Sequence, residues 1–385
     1  MYPTTTDVLI AGAGPTGLTL ACELRRLGVQ AMVVDRQLAG ANTSRAAVVH
    51  ARTLEVLEES GITDRLLARG LKVPMFSVRD RGQVLATISF RDLPTKYPFT
   101  LMCPQDRTEA VLREQLSELG AEVLRPLEVI DFQEADGQVH ATLRSEDGQL
   151  SAVQARWLVG CDGAHSIVRE RAGIEFEGGA YEETFVLVDV EMKWPLSREE
   201  ACLFFSPAGL VVVAPLPENH FRIVATVDHA ETGPTLEEVQ AILDERGPEG
   251  GTARVERCVW SSRFHIQHRV ARQLRKGHFL LAGDAAHVHS PAGGQGMNTG
   301  IQDAVSLAKA LRAVRDGEDT APLEAWERER LKVARSVVSV TDRMTRVATL
   351  TSSVGTKVRN TLISWLGHTE FVSHAIAARL AELER

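Results

Sequence analysis

The hexamer Gly12-Ala13-Gly14-Pro15-Thr16-Gly17 constrains the fold of this chain more than any other feature. It fits the pattern G-x-G-x-x-G, and its flanks give the pattern physical meaning. Val8-Leu9-Ile10-Ala11 is a short apolar run of the kind a buried parallel strand shows. Leu18, Ala21, Leu24 and Leu27 then recur at helical spacing, and Gly28 predicts the end of that helix. Ala31-Met32-Val33-Val34 is a second apolar strand closing at Asp35-Arg36, so residues 8–36 form one βαβ unit. In such a unit the first glycine allows a tight turn and the second lets the backbone approach a pyrophosphate. The third lets helix pack on strand, while the helix N-terminus favours the anion. A carboxylate at position 35 would accept hydrogen bonds from a ribose diol. Gly12, Gly14, Pro15, Thr16, Gly17, Asp35 and Arg36 are therefore candidate contacts for the adenosine half of FAD or NAD.

Several function classes are excluded by composition. At roughly 150 residues per domain, 385 residues predict two or three lobes. With 44% hydrophobic and 24% charged residues the chain is neither disordered nor collagen-like. No run of about 18 apolar residues predicts a membrane span, and the N-terminus lacks the basic region of a secretory signal. The net charge of −8, without a Lys/Arg block, argues against a nucleic-acid partner. Five scattered cysteines without C-x-x-C read as small buried hydrophobes in a reducing cytosol. His287-x-His289 has no nearby carboxylate or thiol partner in sequence, so no metal is expected.

Beyond the βαβ unit lies a polar loop, residues 40–45, and a helix is expected from about His50 to Ser60. Residues 71–100 alternate like strands. Pro104 opens another helix, with Val111, Leu112, Leu116 and Leu119 on one face and Gly120 past its end. Residues 121–160 read as strands with Asp136-Gly137 and Asp147-Gly148 as hairpin turns. Residues 181–230 are again strand-rich, and Phe279-Leu280-Leu281-Ala282 is another short buried strand. A helix is expected to start near Met297, and from 322 onward the period is helical, with Ile363, Leu366, Phe371, Ile376, Leu380 and Leu383 marking the last helices.

Two further motifs stand far from the first. Trp157-Leu158-Val159-Gly160-Cys161-Asp162-Gly163 is a strand running into an Asp-Gly turn. Gly283-Asp284-Ala285-Ala286-His287, continuing to Pro291-Ala292-Gly293-Gly294-Gln295-Gly296-Met297-Asn298, is a loop leading into a helix. The three motifs together resemble the class A FAD-dependent aromatic hydroxylases, the p-hydroxybenzoate hydroxylase-like monooxygenases, over about residues 7–345. The Pro291–Asn298 stretch is most similar to phenol and polyketide ring hydroxylases. The resemblance implies an α/β fold: a Rossmann-like FAD-binding domain (1–70, 101–180 and 270–345), an inserted β-rich substrate domain (71–100 and 181–269) and C-terminal helices (346–385).

Carried over by position, the resemblance puts Gly12, Gly14 and Gly17 on the pyrophosphate and Asp35 on the adenosine ribose. It also puts Arg45 and Gln105 at FAD contacts, Gly283-Asp284 at the ribityl chain, and Asp162 in a turn serving both FAD and the nicotinamide donor. A helix starting near Met297, preceded by Gly294 and Gly296 and including Asn298, is suited to hold the negative charge of a reduced flavin with free N–H groups. The resemblance further implies NADPH or NADH as co-substrate, O2 as oxidant, and hydroxylation of a phenolic or polyketide-type aromatic through a C4a-hydroperoxyflavin. Pro291 is expected beside the substrate, its rigid φ aiming a carbonyl at the pocket. His287 is either a pocket or proton-relay group, or a histidine satisfied by backbone beneath the loop. Tyr97 and Tyr181 border the β-rich segments without an assignable role. Arg222 and His220 would either meet an acidic substrate or form the solvent face of a strand. Two departures stand out. Only about 40 residues follow position 345, too few for the thioredoxin-like domain of longer relatives. Asp303-Ala304-Val305 continues the late helix where relatives often carry Asn and Trp, which reads as helix packing. Two other functions use the same motifs: a flavin-dependent reductase or dehydrogenase without oxygen insertion, and a non-catalytic dinucleotide-binding protein.

Overall fold

In the computed structural model, residues 3–40, 46–206, 208–227, 233–291, 293–317, 319–348, 363 and 369–383 are described. Two eight-stranded sheets and one three-stranded sheet organise them. The first sheet is built on the βαβ unit expected from sequence. Strand Thr5–Ala11 leads into helix Pro15–Arg26, which returns to strand Ala31–Val34. The helix stops where Gly28 adopts φ +73, and it buries Leu18, Leu20, Ala21, Cys22 and Leu24. Each of those side chains is fully enclosed, and burying a leucine stabilises by roughly 1.5–3 kcal/mol.

The order of the first sheet is Arg275–Lys276, Phe279–Leu281, Leu150–Gly160, Thr5–Ala11, Ala31–Val34, Val123–Leu124. Four neighbouring pairings inside it are parallel. Parallel strands buried on both faces need continuous apolar runs, and this is why Val8–Ala11 and Leu158–Val159 read that way. Strands Leu127–Ala135 and Gln138–Ser145 join antiparallel beyond Leu150. The turn between them is Asp136-Gly137, both at positive φ, the conformation a two-residue hairpin requires.

The second sheet has the order His287–Val288, Arg254–Ala271, Phe176–Lys193, His220–Val227, Gly209–Pro215, Glu200–Ser206, Met75–Asp80, Gln83–Ser89. One of its faces packs Val186, Val188, Phe221, Ile223 and Ala225 against Val239, Ile242 and Leu243 of helix Leu236–Arg246. That helix starts at a capping box between Thr235 and Glu238. Strands Val48–Val49, Thr100–Met102 and Leu71–Val73 form the small third sheet.

Helices differ from expectation in one place. The helix expected from His50 to Ser60 ends at Val56, and a 3₁₀ turn, Glu58–Ser60, follows. Gly61 in the left-handed region then starts a new helix, Ile62–Arg69. Gln105–Glu118 follows Pro104, and Gly296–Asp316 begins one residue before Met297. Helix Ala321–Ala348 lies against it, and helix Glu370–Leu380 packs Ala377, Ala378 and Ala381 on Ala51, Ile88 and Phe90. No helix among the described residues is long and apolar enough to cross a membrane.

Candidate functional site

Four strand ends lie side by side. Val34 pairs with Ala11, Ala11 with Gly160, and Gly160 with Leu281. The turns that leave these ends carry the three motifs, so residues spread over 270 positions share one edge. In open α/β sheets this carboxyl edge is where ligands bind.

The first turn is dictated by close approach. Gly12 has φ +99, and a Cβ on it would stand 2.6 Å from the Cys161 carbonyl carbon. Only glycine lets the two turns come together. Around Gly14 the reverse holds: a Cβ there would meet nothing within 4 Å. Gly14 caps helix Pro15–Arg26 with no side-chain hydrogen bond, leaving the first-turn N–H groups and the dipole facing open space. Asp35 reaches back beneath this turn. Its Oδ2 accepts from the Ala13 N–H at 2.7 Å and its Oδ1 from Gln37 N–H at 2.8 Å, with Arg125 Nη2 3.7 Å away. Arg36 beside it is exposed.

In the second turn, Asp162 folds onto its own helix, Ile167–Arg171. Its Oδ2 accepts from Ile167 N–H at 2.8 Å and Val168 N–H at 3.3 Å. Its Oδ1 is buried without a protein partner, and burial pushes the carboxyl above its usual range.

The third turn locks to the first. A Cβ on Gly283, which has φ +63, would overlap the Thr16 hydroxyl, and so would one on Gly300. Thr16 is thus held between the late turn and the late helix. Asp284 is exposed at the head of the turn. Beyond it, the Gly296–Asp316 helix starts at Gln295 with no side-chain cap. The loop that leads in is fixed by Asn298, whose Nδ2 donates to the Val48 and Gly294 carbonyls at 2.8 Å while Oδ1 accepts from His50 N–H at 2.8 Å. The Asn298 side chain is fully buried and engaged. His50 Nε2 lies 2.7 Å from the Gly293 carbonyl, and burial drops its pKa to about 4. Gly296 and Met297 stay half-buried in the first turn of the helix.

Several expected positions differ in what they do. The Pro291 carbonyl does not simply face a pocket; it accepts from Gly294 N–H at 2.9 Å, closing the turn. His287 is buried, but a side chain and not backbone satisfies it: Nε2 is 2.7 Å from Asp303 Oδ2. Asp303, expected only to pack a helix, is fully buried and also accepts from Arg330 Nε at 2.6 Å. Burial opposes its charge, yet Arg330 and His287 hold its pKa down to about 2. The sequence signal was a lone acid on the apolar side of a helix. Arg222 is neither a solvent residue nor open to an acidic substrate. It is buried and pairs bidentately with Asp189, Nε to Oδ1 at 2.7 Å and Nη2 to Oδ2 at 2.8 Å. The alternation that puts Phe221 and Ile223 under the helix sends Arg222 to the other face, opposite Asp189. His220 Nε2 lies 3.2 Å from Glu191. Tyr97 donates its hydroxyl to Glu58 at 2.7 Å.

Gln105 accepts at Oε1 from Ala46 N–H at 3.4 Å and donates at Nε2 to Glu109 at 2.9 Å. Arg45 lies outside the described residues, as does Leu366, and the Tyr181 side chain is not described. No cluster of three metal-ligating side chains occurs among the described residues.

Known proteins share sequence and fold with this chain. The sequence profile of the FAD binding domain family matches residues 5–341. A 6-methylpretetramide 4-monooxygenase of Streptomyces rimosus is 42% identical over 90% of this chain and 63% of its own length. A pentachlorophenol 4-monooxygenase of Sphingobium chlorophenolicum is 33% identical over 88% and 64%. The chain thus spans a little under two thirds of the length of these two relatives. Among solved structures, p-nitrophenol 4-monooxygenase from Pseudomonas putida superposes with a TM-score of 0.89 at 26% identity, covering 100% of both chains. An anhydrotetracycline hydroxylase from Streptomyces rimosus superposes at 0.82 with 32% identity, covering 99% of this chain and 76% of that one.

Proposed function

This chain belongs to the FAD binding domain family of flavin-dependent aromatic hydroxylases, and on that premise we propose that it is an FAD- and NAD(P)H-dependent monooxygenase hydroxylating a phenolic or polyketide-type aromatic. The observation that carries this reading is the shared carboxyl edge. One elongated dinucleotide can touch all three motif turns only if they lie on neighbouring strand ends, and Val34, Ala11, Gly160 and Leu281 are such neighbours.

The residues present fit FAD. The open cradle over Gly14 and the uncapped helix starting at Pro15 suit the pyrophosphate. Asp35, already ordered by Ala13 N–H, keeps carboxylate lone pairs for a ribose diol. Asp284, exposed at its turn, suits the ribityl hydroxyls. Arg36, Arg45, Gln105 and Asp162 complete the contacts. The helix starting at Gly296 offers uncapped N–H groups to the charge of a reduced flavin. FAD, when bound, supplies the oxygen chemistry, with NADH or NADPH as reductant and O2 as oxidant.

The chain's own part is to position and to exclude water. Pro291 and the turn it closes with Gly294 define one wall beside the flavin head. The second sheet, reached directly from His287–Val288, provides the opposing surface. Residues 1–70, 101–180 and 270–345 then act as the cofactor lobe, residues 71–100 and 181–269 as the substrate lobe, and 346–385 as the helical extension. The assigned compartment is the cytoplasm, on the ground that five scattered cysteines without C-x-x-C suit a reducing compartment.

The test is an NAD(P)H-oxidation screen over phenols and aromatic polyketides, followed by product analysis under isotopically heavy O2. Heavy oxygen in the product supports the monooxygenase. Unlabelled product with bleaching of a yellow protein moves the assignment to a reductase. A protein that never takes up FAD overturns the proposal.

A further inference from the structure

We propose that Asp303 is the positioning residue that sets the Gly283-Asp284 turn and the Pro291 loop at a fixed distance from each other, and thereby controls FAD binding without touching FAD. The inference rests on the functional reading above.

One carboxylate serves three separate elements. Asp303 Oδ2 accepts from the Gly283 N–H at 3.1 Å and lies 2.7 Å from His287 Nε2. Gly283 immediately precedes Asp284, the acid assigned to the ribityl chain. His287 opens the short strand that pairs with Arg269 and Val270 of the second sheet and runs on to Pro291. On the other side Oδ1 accepts from Arg330 Nε at 2.6 Å, and the Asp303 carbonyl accepts from Trp326 Nε1 at 3.3 Å. Arg330 Nη2 also donates to the Thr299 carbonyl at 3.4 Å, tying the first turns of the late helix to the same point.

The chemistry of these partners requires an ionised acid. Gly283 N–H and Arg330 can only donate, and the His287 tautomer that donates from Nε2 completes the set. An asparagine in place of Asp303 would turn an NH2 group toward one of these donors. Such a group, enclosed to 0–5% exposure throughout, is an expensive way to hold helices together, because well-packed apolar residues do that as well or better. What apolar residues cannot do is fix a backbone amide and an imidazole at one atom. A single atom linking the ribityl-side turn to the strand of the substrate sheet is the geometry of a spacer.

The experiment measures FAD affinity of reconstituted apoprotein, by quenching of flavin fluorescence, beside the melting temperature. Asp303→Asn is expected to weaken FAD binding tenfold or more. Trp326→Phe, which removes a hydrogen bond to the same residue's carbonyl but none to the turn, is expected to lower the melting temperature and leave FAD affinity within twofold. Asp303→Asn binding FAD like the unaltered protein overturns the proposal. So does a loss of affinity that merely follows melting temperature across both variants. If Asp303→Asn does not fold, His287→Leu and His287→Gln decide: Leu is expected to weaken FAD binding severalfold and Gln, which can still donate to Asp303, to restore it. Equal affinity in both variants overturns the proposal. An unaltered protein that binds no FAD removes the functional reading and this inference together, whereas normal binding in the unaltered protein beside normal binding in Asp303→Asn removes this inference alone.

Discussion

The hydroxyl of Thr16 occupies the space that a side chain on Gly283 would need. The amino-terminal turn and the turn nearly 270 residues later are therefore packed to contact, and their separation leaves no room for a methyl group. Gly283→Ala is expected to force the two turns apart and to strain a φ of +63, costing about 1–3 kcal/mol in backbone terms alone. The purified variant should melt at lower temperature and carry less flavin per chain than the unaltered protein. Equal flavin content would count against the shared cradle.

Asp35 orders the first turn through Ala13, and it is the acid proposed for the adenosine ribose. Asp35→Ala removes both functions. Titration calorimetry with ADP should show affinity reduced about tenfold, or about 1.4 kcal/mol. Thermal stability should change far less, because the carboxylate is at the edge of the core.

The buried pair of Arg222 and Asp189 makes a stability prediction independent of any cofactor. Arg222→Met alone leaves Asp189 charged and unpaired in a buried site, and should lower the unfolding free energy by about 3–5 kcal/mol. Joining it to Asp189→Leu should recover most of that loss. Urea titrations of the two variants check this directly.

Glu382 lies beside Gln302 on the late helix, with Thr53 reached through the same amide. Burial pushes its pKa from 4.5 up to about 8. The folded state thus favours the protonated acid. The stabilisation is complete below the unfolded value of 4.5 and is lost as pH rises through 8. Glu382→Gln, neutral at every pH, should show a flatter fall in melting temperature between about pH 5 and about pH 9. Parallel curves for the two proteins would contradict the assignment.

The parts legible in sequence were those written into the backbone. A turn such as Gly12–Gly17 has few residue choices, so spacing alone marks it, and the same holds for Asp136-Gly137 and for the apolar runs of buried parallel strands. The His50–Ser60 helix was legible only in part, because the α-helix ends at Val56 and its last residues tighten into a 3₁₀ turn, Glu58–Ser60, which helical periodicity does not register. Side-chain partnerships were not legible. Asp189 and Arg222 meet through strand register, and Asp303 meets Gly283, His287 and Arg330 through the packing of two helices on a sheet edge. No local spacing encodes such meetings. Asp303 among Ile301, Ala304, Val305 and Leu307 could have been noticed as a misplaced charge, yet its partners could not have been named.

The main-chain N–H groups at the four adjoining strand ends tie the turns to one another, Gly12 donating to Val34, Cys161 to Ala11 and Ala282 to Gly160, and this has a genetic consequence. Where a residue contributes only such an N–H, its side chain can change without erasing the bond, since every residue but proline brings a donor. Inactivating changes in this protein should therefore concentrate where the path of the chain is bent, at Gly12 and Gly283, and where a carboxylate itself holds a turn, at Asp35 and Asp303.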